Sequence, residues 1–187
     1  FLPRTAPAVT AERSVTVRPE LPGTLHLSIT ERVPVLAWQV GAHRYAVDGT
    51  GLLIAELPVI DGTSDGTAPA DLLPTIHDGR VASATLAVGS SLDPIDDDAA
   101  SRLGSLTPAD LGSAAPSLTI DLTDADGFTI RPADGPLCVF GFYTPTLRTT
   151  EIIPGQVRLL AGLLATGESK YARITLASQT AGSYLPV

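Results

Sequence analysis

From Leu25 to Thr30 the chain alternates strictly: Leu25, Leu27 and Ile29 on one side, His26, Ser28 and Thr30 on the other. That period of two is the mark of a half-buried β-strand, and it fixes the local geometry before any other feature does. Val15-Thr16-Val17 reads as its partner across a turn at Pro22-Gly23. Residues 35–40, 45–47 and 52–56 read as three more short strands, turned by Gly41 and by Asp48-Gly49-Thr50-Gly51. Further on, residues 118–122, 128–131 and 137–142 repeat the pattern, with turns at 124–127 and 132–135. Residues 171–177 form a final strand, and 182–187 an extended tail.

Helical signals interrupt this series twice. Asp93-Pro94 is an N-cap followed by a first-turn proline. Ile95, Ala99, Leu103 and Leu106 then fall on one helical face, and Asp96, Asp97 and Asp98 occupy the turn where the helix dipole favours anions. Thr107-Pro108-Ala109-Asp110 repeats the start signal for one short turn. A second helix runs from about Pro154 to Ala165, with Val157, Leu160, Ala161 and Leu164 on one face and Gly167 as a stop. Residues 61–71, rich in Gly, Thr, Asp and Ala, read as a loop. About nine strands and two helices, without regular βαβ alternation and without an internal repeat, predict an α+β fold built on a mainly antiparallel mixed sheet.

Charge narrows the classes of partner. Twelve Lys and Arg against 20 Asp and Glu leave a formal charge of −8 in 187 residues, so no nucleic-acid partner is expected. The single cysteine, Cys138, sits in an apolar run and reads as a small buried hydrophobe. Methionine is absent, which leads to the expectation that Phe1 is not the native start. The longest apolar run, 157–165, is far short of the roughly 20 residues that span a bilayer.

Signatures of catalysis fail one by one. Val88-Gly89-Ser90-Ser91 lacks the second glycine of a nucleophile elbow, and His26, His43 and His77 are scattered. Asp121-Leu122-Thr123-Asp124-Ala125-Asp126-Gly127 suggests a calcium loop. Aligned by its glycine, however, it places Leu122 and Ala133 where acidic ligands are required, so a hairpin turn is the better reading. Three consecutive aspartates on a helix point in different directions and cannot converge on one ion. Gly49-Thr50-Gly51 lacks the rest of a dinucleotide fingerprint. No enzyme, metal or cofactor is expected. A hydrolase would require a polar cleft with paired carboxylates or a Ser/His pair.

An ordered set of motifs resembles the extracytoplasmic part of the bacterial division protein family FtsQ/DivIB. The set opens with Leu21-Pro22-Gly23-Thr24-Leu25, Glu31-Arg32-Val33-Pro34-Val35 and Val47-Asp48-Gly49-Thr50-Gly51. It continues with Leu73-Pro74-Thr75-Ile76 and the helix after Gly89-Ser90-Ser91-Leu92. It closes with Phe140-Gly141-Phe142, the helix at 153–164, and Ile174-Thr175-Leu176. On this resemblance, residues 1–32 are the C-terminal remnant of a POTRA domain and 33–187 the family's β domain. The family's cytoplasmic tail and single membrane helix are then expected upstream.

The resemblance implies a non-catalytic divisome scaffold on the extracytoplasmic side of the membrane. Its partners would be bitopic division proteins of the FtsB/FtsL or DivIC-like type, bound by β-augmentation on the last strand of the β domain. The residues so implied are Tyr171, Arg173, Ile174, Thr175, Leu176 and Ala177, together with Tyr184 in the tail. Arg173 and Thr175 would share one face of that strand, Ile174 and Leu176 the other. The alternative is a POTRA-like secreted or surface module in transport or adhesion.

Overall fold

The computed structural model describes residues 12–20, 23–58 and 72–187. The fold is α+β: a two-stranded antiparallel sheet, a nine-stranded mixed sheet, and two helices. The loop expected at 61–71 and the Pro22 side of the first turn lie outside the described residues.

β1 (Glu12–Glu20) and β2 (Thr24–Glu31) form the small sheet. Its register sets Val15 opposite Ile29, Val17 opposite Leu27, and Pro19 opposite Leu25, so one face is apolar throughout. That face is open among the described residues; even Val15, its most covered described aliphatic, is 45 % exposed.

The large sheet is assembled from β3 (Pro34–Val40), β4 (His43–Asp48), β5 (Leu53–Leu57), β6 (Thr75–Asp78), β7 (Leu118–Thr123), β8 (Gly127–Pro132), β9 (Leu137–Gly141), β10 (Tyr171–Leu176) and β11 (Gly182–Pro186). Across the sheet the order is β11-β10-β9-β8-β7-β6-β3-β4-β5. Five of its pairings are antiparallel; β3–β6, β6–β7 and β9–β10 are parallel. The expected strands are all present. β6 is an addition, because its four residues, Thr-Ile-His-Asp, are too few to show a period.

Helix α1 (Pro94–Gly104) connects β6 to β7, and α2 (Ile153–Leu164) connects β9 to β10. Each helix is therefore the crossover between two adjacent parallel strands, and each second strand is followed by an antiparallel neighbour. Residues 75–132 and 137–186 thus share one plan, β-α-β-β, which no repeat in the sequence announces. Both crossovers start from strands of one direction and step the same way along the sheet. The shared right-handed preference of such connections places both helices on one face.

Register makes the two faces chemically different. On the helix side one row runs Tyr45–Trp38–Ile76–Ile120–Ile130–Cys138–Ile174–Tyr184. All but Tyr184 belong to the buried core, together with Ala99, Ala100, Leu103, Leu160 and Leu164 from the helices. The neighbouring row, on the open face, runs Arg44–Gln39–His77–Asp121–Thr129–Val139–Thr175–Ser183. Cys138 is fully buried, and burial pushes its thiol up to about 12, leaving it protonated at neutral pH.

The aspartates of α1 diverge as their spacing requires. Asp93 caps the helix by accepting from Ile95 N at 2.9 Å. Asp96 meets Arg80 at 2.6 Å, and Asp98 accepts from Arg102 and from the Thr150 hydroxyl. Asp97 lies against Gly51. The Asp124–Gly127 segment is a hairpin turn, with Thr123 opposite Gly127. Gly127, at φ 66°, supplies the left-handed residue that closes a three-residue loop.

Candidate partner-binding edge

A nine-stranded sheet has two edges, and here they differ. Outside β5, the segment at 89–91 folds back as a partial extra strand. Leu53 N donates to Ser90 O at 2.9 Å, Gly89 N to Leu53 O at 2.8 Å, and Leu52 bridges Ser91. This edge is blunted at its Leu52–Leu53 end, one of the ways folded proteins protect sheet margins. At the other end, β11 pairs with β10 alone among the described residues, and all five of its residues are exposed.

The position of β11 corrects the sequence reading. Residues 171–176 are not the edge: β10 is flanked by β9 in parallel and by β11 in antiparallel. The tail supplies the last strand. Its sequence, Gly-Ser-Tyr-Leu-Pro, is too short and too mixed for alternation to reveal it. Glycine opens it because Gly182 lies so close to Thr175 O that a Cβ would come within 2.6 Å.

Two side chains named for partner binding are therefore core residues. Ile174 is 0 % exposed and Leu176 1 %, both facing the helices, so neither can reach a partner. Ala177 follows the strand, and its carbonyl accepts from Arg148 Nη1 at 2.7 Å. Arg173 and Thr175 do share the opposite face, but Arg173 is engaged within the chain by Asp126, at 2.6 Å. Tyr171 stacks edge-on against Tyr184, with ring centroids 5.2 Å apart. Of the seven, only Tyr184 stands on the edge itself, 58 % exposed at the end of the apolar row.

Backbone direction along β11 follows from two bonds. Ser178 N donates to Ala181 O and Val187 N donates to Lys170 O, so odd-numbered positions face β10. In an antiparallel strand the N–H and C=O of one residue point the same way and alternate along the chain. Gly182 and Tyr184 therefore present N–H and C=O outward, and Pro186 presents a carbonyl only.

The strands behind this edge are held by residues that no sequence motif marks. Gln156 of α2 is fully buried. Its Nε2 donates to Phe140 O at 3.1 Å and to Leu176 O at 3.0 Å, and its Oε1 accepts from Tyr143 Oη at 2.8 Å. Arg148 donates to the same two carbonyls and lies over the Tyr143 ring. Together they satisfy the backbone acceptors just beyond the last β9–β10 pair, Val139–Thr175, which fixes the plane in which β11 is presented. A glutamine among leucines on an otherwise apolar helix face was the only available clue.

The other end of the domain is tied by two motifs that meet. Asp48 Oδ1 accepts from Thr50 N, Thr50 Oγ1 and Leu52 N, and its Oδ2 pairs with Arg32 at 2.5 Å. Burial works to raise this carboxyl's pKa, but the bonds from Thr50, Arg32 and Leu52 outweigh it and hold the value at about 2. Arg32 thus joins the hairpin to the large sheet. No helix among the described residues is long and apolar enough to cross a membrane. No protein-family model matches the chain, and neither does any curated protein.

Proposed function

We propose that this chain is a non-catalytic extracytoplasmic scaffold of the bacterial divisome, resembling FtsQ/DivIB, and that it captures a strand of an FtsB/FtsL- or DivIC-like partner on β11. The observation that carries the reading is the open edge. Of the two margins of the nine-stranded sheet, one is blunted at its Leu52–Leu53 end by residues 89–91, while the other ends in an exposed, uncharged strand. Strands exposed in this way are templates for β-augmentation, in which main-chain bonds supply affinity and alternate side chains supply specificity.

The register also describes the partner. A strand laid outside β11 bonds to the outward N–H and C=O of Gly182 and Tyr184. Its residue opposite Tyr184 extends the apolar row on the helix side, where Tyr171 and Tyr184 already form an aromatic shelf. Apolar residues at alternate positions of the partner fit that shelf. In this reading the apolar face of the β1–β2 hairpin belongs to the POTRA layer, and Arg32–Asp48 sets the angle between the two units.

Proline scanning tests this assignment. Tyr184→Pro removes an outward donor and the aromatic ring, and is expected to abolish capture of a cognate partner ectodomain while Trp38 emission stays native. Thr175→Pro, on an interior strand, is expected to damage the fold itself, so its loss of binding is uninformative. Undiminished capture by folded Tyr184→Pro protein would refute the β11 assignment.

A further inference from the structure

The geometry points to a second binding site, on the open face of the sheet, for a ligand that presents a primary ammonium group of the lysine type. It lies in a depression of about 350 Å³ whose floor includes four consecutive positions of one cross-strand row: Gln39, His77, Asp121 and Thr129. This floor is on β3, β6, β7 and β8. Asp121 is four strand spacings, about 19 Å, from β11. The site is thus independent of the edge and of the function proposed for it.

Among the described residues, three of the four floor side chains have no hydrogen-bond or ionic partner: His77, Asp121 and Thr129. Thr129 is the telling one. It is 3 % exposed as a residue and lines the depression, and among the described residues its hydroxyl has no internal partner, so the hollow is where that hydroxyl meets a donor or acceptor. A bound group that reaches it exchanges a water contact for a hydrogen bond held in fixed geometry. The bridge from Arg173 to Asp126 reaches across β9 and β8, whose open-face residues Val139 and Thr129 are both buried.

Charge selects the class of ligand. Asp126 is matched by Arg173, which leaves Asp121 as an uncompensated carboxylate in a partly enclosed hollow of an acidic protein. Anions are repelled there. An ammonium offers three donors and no acceptor, and the floor answers with the Asp121 carboxylate, the Thr129 hydroxyl and the Gln39 amide oxygen. A divalent metal is a poor match, because among the described residues no three His, Cys, Asp or Glu converge as ligands.

The test is a titration of the whole chain by two-dimensional ¹⁵N NMR with Nα-acetyl-lysine amide. Nα-acetyl-norleucine amide, Nα-acetyl-arginine amide and calcium chloride serve as parallel probes. Saturable shifts at the amides of His77, Asp121 and Thr129 with the lysine probe are expected, with none from norleucine. Asp121→Asn should weaken binding at least tenfold, and Thr129→Val severalfold, both with native Trp38 emission. Equal shifts from norleucine, a response to arginine or calcium alone, or wild-type affinity in Asp121→Asn would each overturn the site.

Discussion

Asp48 shows how much one side chain can be asked to hold. It stands at the end of β4, 5 % exposed, with three donors on one oxygen and Arg32 on the other. Its folded pKa is depressed to about 2 from an ordinary value near 4, so the ionised form is favoured by folding. The stabilisation is therefore fully present above about pH 4 and is lost as pH falls through 2; its size at neutral pH is about 2 kcal/mol. Asp97 acts in the opposite sense: burial, then the nearby Asp48 and Asp98 charges, push its carboxyl up, so its protonation relieves repulsion on acidification. The clean measurement is a difference. In urea denaturation, Asp48→Asn should be less stable than wild type by about 2 kcal/mol at pH 7, and the gap should close between pH 4 and pH 2. A gap that stays constant across that range would show that the carboxylate's charge contributes nothing.

At the scale of elements, the β7–β8 turn is the most tightly specified. Gly127 has a left-handed backbone, and a Cβ there would lie 2.4 Å from the carbonyl carbon of Gly141 on β9. The two strands approach so closely at this bulge that Gly127 has no room for a side chain. Gly127→Ala combines backbone strain with a clash against main chain, and should cost about 2–4 kcal/mol, read as a lower midpoint in thermal or urea unfolding. Gly162→Ala, where nothing lies within 4 Å of the added carbon, is the matched control and should be neutral or slightly stabilising.

These elements also show what was legible in the sequence. The strand at Leu25–Thr30, the cap at Asp93 and the glycine turn after Asp126 are local chemistry, and each appears where the residues place it; the half-burial that the alternation implies does not, since both faces of that strand are exposed among the described residues. β6 and β11 were not visible as strands because four or five residues carry too little period. The pattern consequently points to an edge one strand too early. Gln156 and Arg148 carry no local sequence signal because their role depends on two carbonyls brought together only by the sheet.

For the molecule as a whole, the decisive fact is that both crossovers pass over one face. The helices then bury the Trp38–Ile174 row and leave the neighbouring, more polar row on the face they do not cover, which is why a polar hollow and an open edge can coexist on one rigid sheet. The hairpin stands apart from that arrangement. Its described residues are all exposed, and Arg32 is its link to the large sheet through Asp48. A two-stranded sheet is marginally stable by itself in water. Local opening of the hairpin should therefore precede loss of the nine-stranded core. Trp38, the single tryptophan and fully buried, reports on that core alone. Native-state hydrogen exchange in rising urea should show the amides of β1 and β2 exchanging while Trp38 emission is still native. The amides of Ile76, Ile120 and Ile130 should exchange only with the emission change. Simultaneous loss of protection in both sheets would show that the hairpin and the core unfold as one unit, and that Arg32–Asp48 couples them far more strongly than a single ion pair can.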